Sequence, residues 1–153
     1  MEIKTLLEQR GLLIFDGAMG TQLQAKGLKT GETPELLNLT AKDLLKEIHR
    51  SYIDAGADII SANTFGANSY KLSHSGKSVD EIITAGIINC KEAIKESRKD
   101  VFCALDIGPI GQLLEPTGSL KFEETYDIFR EEIVAGYKAG VDVVLFETMT
   151  DLY

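Results

Sequence analysis

The sequence predicts an α/β fold, the first four strand–helix units of a (β/α)8 TIM-type barrel, with residues 1–153 forming the N-terminal half of one barrel domain. Three observations predict it. Four short apolar runs each end in a polar or acidic residue, segments of helical periodicity separate them, and one helix-to-strand junction occurs twice. Runs that are apolar throughout, rather than alternating, mark strands covered on both faces, the usual setting of a parallel sheet.

In chain order the strands are Leu12–Asp16, Ala57–Asn63, Val101–Asp106 and Val141–Glu147. Before the second strand, Thr40-Ala-Lys-Asp43 has capping-box spacing, and Leu44, Ile48, Tyr52 and Ala55 follow at helical intervals. Before the third, Ser78-Val-Asp-Glu81 opens a helix whose apolar positions are Ile83, Ile87, Cys90 and Ile94. Before the fourth, Phe122, Tyr126, Phe129, Ile133 and Tyr137 form a stripe that Gly140 closes. The junctions Ala55-Gly-Ala-Asp-Ile-Ile60 and Ala139-Gly-Val-Asp-Val-Val144 repeat one pattern: helix end, glycine, aspartate, strand. Alternating β and α with repeated junctions predicts parallel strands joined by right-handed crossovers. A barrel needs eight strands, and Asp151-Leu-Tyr153 falls where a fourth helix is due. The expectation is a piece of a longer polypeptide whose open sheet edges invite self-association. An open flavodoxin-like sheet would want a fifth strand and a closing helix.

With 44% apolar and 26% charged residues the balance is that of a globular domain. A net charge of −8 argues against a nucleic-acid or anionic-membrane partner, since both require clustered Lys and Arg. Met1 to Arg10 lacks the apolar core of a signal peptide, and no apolar run approaches the roughly 20 residues that span a bilayer. Cys90 and Cys103 have no close-spaced partners, which favours reduced thiols and a cytoplasmic location.

Ligands of parallel α/β folds sit beyond the carboxyl ends of the strands. Those ends carry Asp16-Gly17-Ala18, Asn63-Thr64, Asp106 and Glu147. If each terminal polar side chain points into the barrel, period-2 alternation turns Ile14, Ser61, Ala104 and Leu145 inward and Cys103 outward to the helices. Three carboxylates and an amide then converge on one mouth. Any one of them alone is as readily a turn or cap residue. Together, with no Lys or Arg in the strands, they suit a cation, either an amine or a metal, while the glycines let backbone N–H groups approach a carboxylate. An amine with a carboxylate is an amino acid. Gly17-Ala-Met-Gly20 lacks the spacing of a phosphate-binding loop, no strand holds a Schiff-base lysine, and His49 and His74 lie away from the strand ends.

Leu12-Leu-Ile-Phe-Asp-Gly-Ala-Met-Gly-Thr21, His49-Arg-Ser-Tyr-Ile-Asp-Ala-Gly-Ala-Asp-Ile-Ile60, Asn63-Thr-Phe-Gly66, Asp106-Ile-Gly-Pro109 and Phe146-Glu-Thr148 together resemble the homocysteine S-methyltransferase family, in the family's order and over essentially the whole chain. The Asp-Gly-Ala-Met-Gly-Thr opening is most similar to the N-terminal module of the cobalamin-dependent methionine synthases; the betaine and S-methylmethionine branches tend to read Asp-Gly-Gly. The resemblance implies a barrel in which zinc, held by three cysteine thiolates, deprotonates the homocysteine thiol, which then takes a methyl group from methylcobalamin to give methionine. It matches Asp16 and Glu147 to carboxylates that hold the substrate amine and Gly17 and Ala18 to backbone contacts with its carboxylate. Asn63, Thr64 and Asp106 match polar positions of the same mouth. The family's zinc cysteines, including a Gly-Gly-Cys-Cys run, belong to the second half of the barrel, and neither Cys90 nor Cys103 matches them. The expectations are therefore a methyltransferase fragment that is inactive alone, with homocysteine, the second half of the barrel, and folate- and cobalamin-binding domains as partners. The alternatives are a betaine, S-methylmethionine or reductase-fused homocysteine methyltransferase, or a non-catalytic half-barrel that acts by pairing with a second copy.

Overall fold

The computed structural model describes residues 2–150. Helix α1 (Ile3–Arg10) leads into the first apolar run, followed by α2 (Met19–Ala25), a 3-10 turn (Pro34–Leu36), α3 (Leu37–Thr40) and α4 (Lys42–Ala55). Then β1 (Ile59–Ser61), α5 (Val79–Ser97), β2 (Phe102–Ile107), α6 (Phe122–Ala139) and β3 (Val143–Phe146) alternate. The three strands form a parallel sheet in the order β1-β2-β3, with Ser61 beside Ala104 and Asp106 beside Leu145. Among the described residues no helix is long and apolar enough to cross a membrane.

The run Leu12–Asp16 is not a full strand. It joins the sheet through a single bridge, Phe15 to Ile59, supported by Ile59 N–H donating to Ile14 O and Asp16 N–H donating to Ile59 O. Leu12, Ile14 and Phe15 are 61%, 54% and 40% exposed, so little packing holds the segment flat. The inward assignment of Ile14 therefore leaves it in the open, while Ala104 is buried and Ser61 and Leu145 are half-buried. Cys103, Leu105 and Ile107 face the helices and join Ile83, Ile87 and Cys90 of α5 in the main core.

The repeated junction has one structural cause. Gly56 and Gly140 end α4 and α6 with φ of 106° and 81°, the left-handed conformation that glycine adopts without strain. The aspartate two residues later then grips the preceding strand. Asp58 N–H donates to Ile14 O and its carboxylate accepts from Ile14 N–H at 2.9 Å; Asp142 N–H donates to Cys103 O and its carboxylate accepts from Cys103 N–H at 2.8 Å. Each junction thus staples a new strand to its neighbour through a two-bond ring, and Arg10 pairs with Asp58 at the first one.

Three expectations about helices need correction or support. Ser78 does cap α5, its Oγ accepting from Glu81 N–H at 3.1 Å. Thr40 does not cap α4: it ends α3, its hydroxyl donates back to Leu36 O, and Ala41 is the N-cap. The stripe on α6 is only half a core face, because Phe122, Tyr126 and Tyr137 are 55%, 60% and 81% exposed. The buried residues of α6 are instead Thr125, Glu132, Ala135 and Gly136, with Phe129 and Ile133 half-buried against the core. Close approach to β2 selects glycine at position 136: a Cβ there would stand 2.6 Å from Leu105 Cδ2.

Buried amides tie the front of the fold together. Asn38 Nδ2 donates to Asn63 O and Ile82 O, Asn63 Nδ2 donates to Asn38 Oδ1 and Pro34 O, and Asn89 Nδ2 donates to Asn38 O. Each amide in this web has partners, which turns a desolvation cost into a fixed register between α3, α5 and β1.

Candidate functional site

The strand ends open onto one cavity of about 400 Å3, lined by Asp16, Gly17, Ala18, Asn63, Thr64, Asp106 and Glu147 together with Ser61 and Phe65. The structure thus brings together every residue that the sequence singled out. Their polar groups are not equally free. Asn63 Nδ2 donates to Pro34 O and Asn38 Oδ1, and the Thr64 hydroxyl donates to Asp106 O at 2.9 Å and accepts from Asp106 N–H at 3.1 Å. These bonds lock the ends of β1 and β2 and commit the Asn63 donors and the Thr64 hydroxyl within the fold.

The carboxylates differ. Asp16 accepts from Ser61 N–H and Ser61 Oγ, both at 3.0 Å, while Asp106 Oδ1 is buried with no hydrogen-bond partner. Burial pushes the Asp106 carboxyl up to about 7, with the charges of Glu147, Asp16 and Glu35 adding to the rise. Burial also lifts Asp16, to about 6, and the two Ser61 donors oppose that rise. Among the described residues no lysine or arginine lines the cavity. An underpaired, mutually repelling set of carboxylates favours a cation, and a ligand ammonium supplies both charge and donors.

Sequence reasoning missed three contributors. Strand alternation turns Ser61 inward but gives it no role. Helical spacing marks Tyr52 only as a stripe residue, yet its hydroxyl donates to Ala18 O at 3.1 Å. Glu35 is 5% exposed and accepts from Gly66 N–H at 2.7 Å, which places its charge near Asp106. Alternation within the strand could have found Ser61. The other two depend on contacts between distant segments that no local pattern encodes.

The donor set does not fit zinc. Cys90 and Cys103 are both fully buried in the core, and burial with Cys103 alongside holds the Cys90 thiol well above its ordinary value. Zinc takes thiolates in a tetrahedral group, and among the described residues no three His, Cys, Asp or Glu are grouped to hold a metal. His49 is also fully buried, with neither ring nitrogen paired, and burial lowers it to about 4, so it is a neutral packing residue. His74 is exposed. A second concavity of about 400 Å3, between Phe122, Tyr126, Phe129, Ile133 and Phe146, is apolar and carries no carboxylate.

The family model described as homocysteine S-methyltransferase matches residues 13–153. The chain is 31% identical to the methionine synthase of Mycobacterium tuberculosis, over 99% of this chain and 13% of that protein. It is also 31% identical to that of Mycobacterium leprae, over 95% of this chain and 13% of the relative. The chain therefore spans about an eighth of the length of these relatives. Among solved structures, the metallated form of the homocysteine methyltransferase MmuM from Escherichia coli shares the fold with a TM-score of 0.85 at 21% identity, covering 97% of this chain and 58% of that one. Its oxidised form gives a TM-score of 0.81, covering 93% and 55%. On the family match over nearly its whole length, the chain belongs to the homocysteine S-methyltransferase family.

Proposed function

We propose that this chain supplies the amino-acid-holding part of a homocysteine methyltransferase site, as the first four strand–helix units of a (β/α)8 barrel domain. The observation that carries the proposal is the convergence of Asp16, Asp106 and Glu147 on one mouth that no cationic side chain lines. In this reading the carboxylates hold the homocysteine ammonium, the exposed Gly17 and Ala18 backbone receives its carboxylate, and the thiol extends away from both. Asn63 and Thr64 hold the strand ends in register. Fixing both ends of the amino acid limits the reach of the sulfur, and such orientation is a large part of what a transfer reaction requires.

The 31% identity to two methionine synthases supports methionine as the product. Because the described residues do not fit zinc, the proposal places the zinc ligands outside this chain and derives no step through the metal. It likewise assigns methylcobalamin as the donor, and the folate- and cobalamin-binding domains, to the remaining length of such a protein. Methyl transfer by the 153-residue chain alone is not expected, and stoichiometric zinc in the purified, tag-free chain would overturn that assignment. A cytoplasmic location belongs to the same proposal, supported by two unpaired, buried cysteines.

The test is a titration of the isotopically labelled chain with millimolar L-homocysteine, followed by NMR. The expected result is a perturbation of the Gly17 and Ala18 amides and of the Asp16, Asp106 and Glu147 carboxyl signals. 4-Mercaptobutanoate, which lacks the amine, should leave the carboxyl signals alone. Equal responses to the two compounds would refute the carboxylates as amine ligands.

A further inference from the structure

A binding turn needs a rigid base, and the Asp16–Ala18 turn has little of one in its own strand. Its segment contributes a single bridge and exposes Leu12, Ile14 and Phe15. Two residues further along the chain compensate. Ser61 donates from its backbone N–H to Asp16 Oδ2 and from its hydroxyl to Asp16 Oδ1, each at 3.0 Å. With both oxygens gripped, the plane of the carboxylate is set, and its remaining lone pairs stay available to the mouth it lines. Tyr52, on α4, occupies the space a side chain at position 17 would need: a Cβ on Gly17 would lie 3.0 Å from Tyr52 Cε1 and Oη. The same hydroxyl donates to Ala18 O at 3.1 Å.

We propose that Ser61 and Tyr52 are positioning residues that lock the Asp16–Ala18 turn, Ser61 orienting the carboxylate and Tyr52 seating the Gly17–Ala18 backbone. The proposal rests on the amino-acid reading of the mouth, which it deepens by naming what holds that mouth in shape. Neither residue touches the reacting atoms. Gly17 fits the lock, since a Cβ there would press on the Tyr52 ring at 3.0 Å and force the ring or the turn to give.

The test reads Asp16 directly, by carboxyl 13C NMR of the purified chain across pH. Ser61→Ala removes a donor that favours the charged form, so the Asp16 midpoint should rise by about one unit, and Ser61→Thr, which keeps the hydroxyl, should restore it. L-Homocysteine binding by Ser61→Ala should then weaken by about threefold at pH 6.5 and hardly at all at pH 8, the pattern of a shifted titration rather than a damaged fold. Ser61→Cys, a weaker donor of similar size, should give an intermediate rise and serves if the alanine variant does not fold. Tyr52→Phe keeps the ring and should shift the Gly17 and Ala18 amides while leaving the Asp16 midpoint in place. An unchanged midpoint in a folded Ser61→Ala or Ser61→Cys chain would overturn the lock. A shifted midpoint with unchanged homocysteine affinity would uphold the lock and remove Asp16 from the substrate site.

Discussion

Glu132 on α6 is fully buried, with neither carboxylate oxygen hydrogen-bonded. Burial pushes its carboxyl up from 4.5 to about 8, partly offset by the charge of Lys71. The folded state therefore holds a proton that the unfolded state has released between these two values, so stability falls as pH rises through that window. The limiting difference, about 3.5 units at 1.36 kcal/mol each, is about 5 kcal/mol. Between pH 5.5 and 9 the loss from this residue alone is about 3 kcal/mol, a large fraction of ordinary domain stability. Glu132→Gln keeps the size and a neutral polar head and does not titrate, so its stability advantage over the parent should grow by about 3 kcal/mol between pH 5.5 and pH 9. Urea unfolding of both proteins at the two pH values measures this, with the gap in midpoints expected to widen by about 1–2 M. Comparing parent with variant cancels the titration of Asp16, Asp106 and His49, which both chains share. Parallel loss of stability in the two proteins would mean that Glu132 is solvated or paired in solution, and the argument from its burial would fail.

At the mouth, homocysteine affinity should rise by about 20-fold from pH 6 to pH 8 as Asp16 and Asp106 ionise through their midpoints of about 6 and 7; in Asp106→Asn, calorimetry should find roughly a twofold rise, and a flat parent profile would count against both carboxylates. Asp58→Asn should weaken the staple to Ile14 and cost about 1–3 kcal/mol, read as faster hydrogen exchange of the Ile14 amide than of the Cys103 amide, which Asp142 still holds. The exposed Phe122, Tyr126 and Phe146, with the open edge of β3 beside them, should make the chain self-associate; sedimentation should show a concentration-dependent species that Tyr126→Glu with Phe146→Glu reduces, and a parent that stays monomeric would refute the edge argument.

The sequence by itself determined the α/β class, three of the four strand positions, the cap at Ser78 and the set of residues that meets at the mouth. Each of these rests on near neighbours: continuous apolar runs, helical spacing, a serine three residues before a glutamate, and the rule that strand ends gather ligands. Tertiary structure decided what local patterns leave open. Thr40 satisfies a capping spacing, but α3 claims it first. The aromatic stripe of α6 is apolar, but the helix meets Leu105 through Gly136. Asn63 and Thr64 have the chemistry of ligand groups, yet the fold spends the Asn63 donors on Pro34 and Asn38 and the Thr64 hydroxyl on the Asp106 backbone. The Asp16 turn depends on Ser61 and Tyr52, which lie 45 and 34 positions from their respective partners, and hydrogen bonds across such separations exist only once the chain has folded.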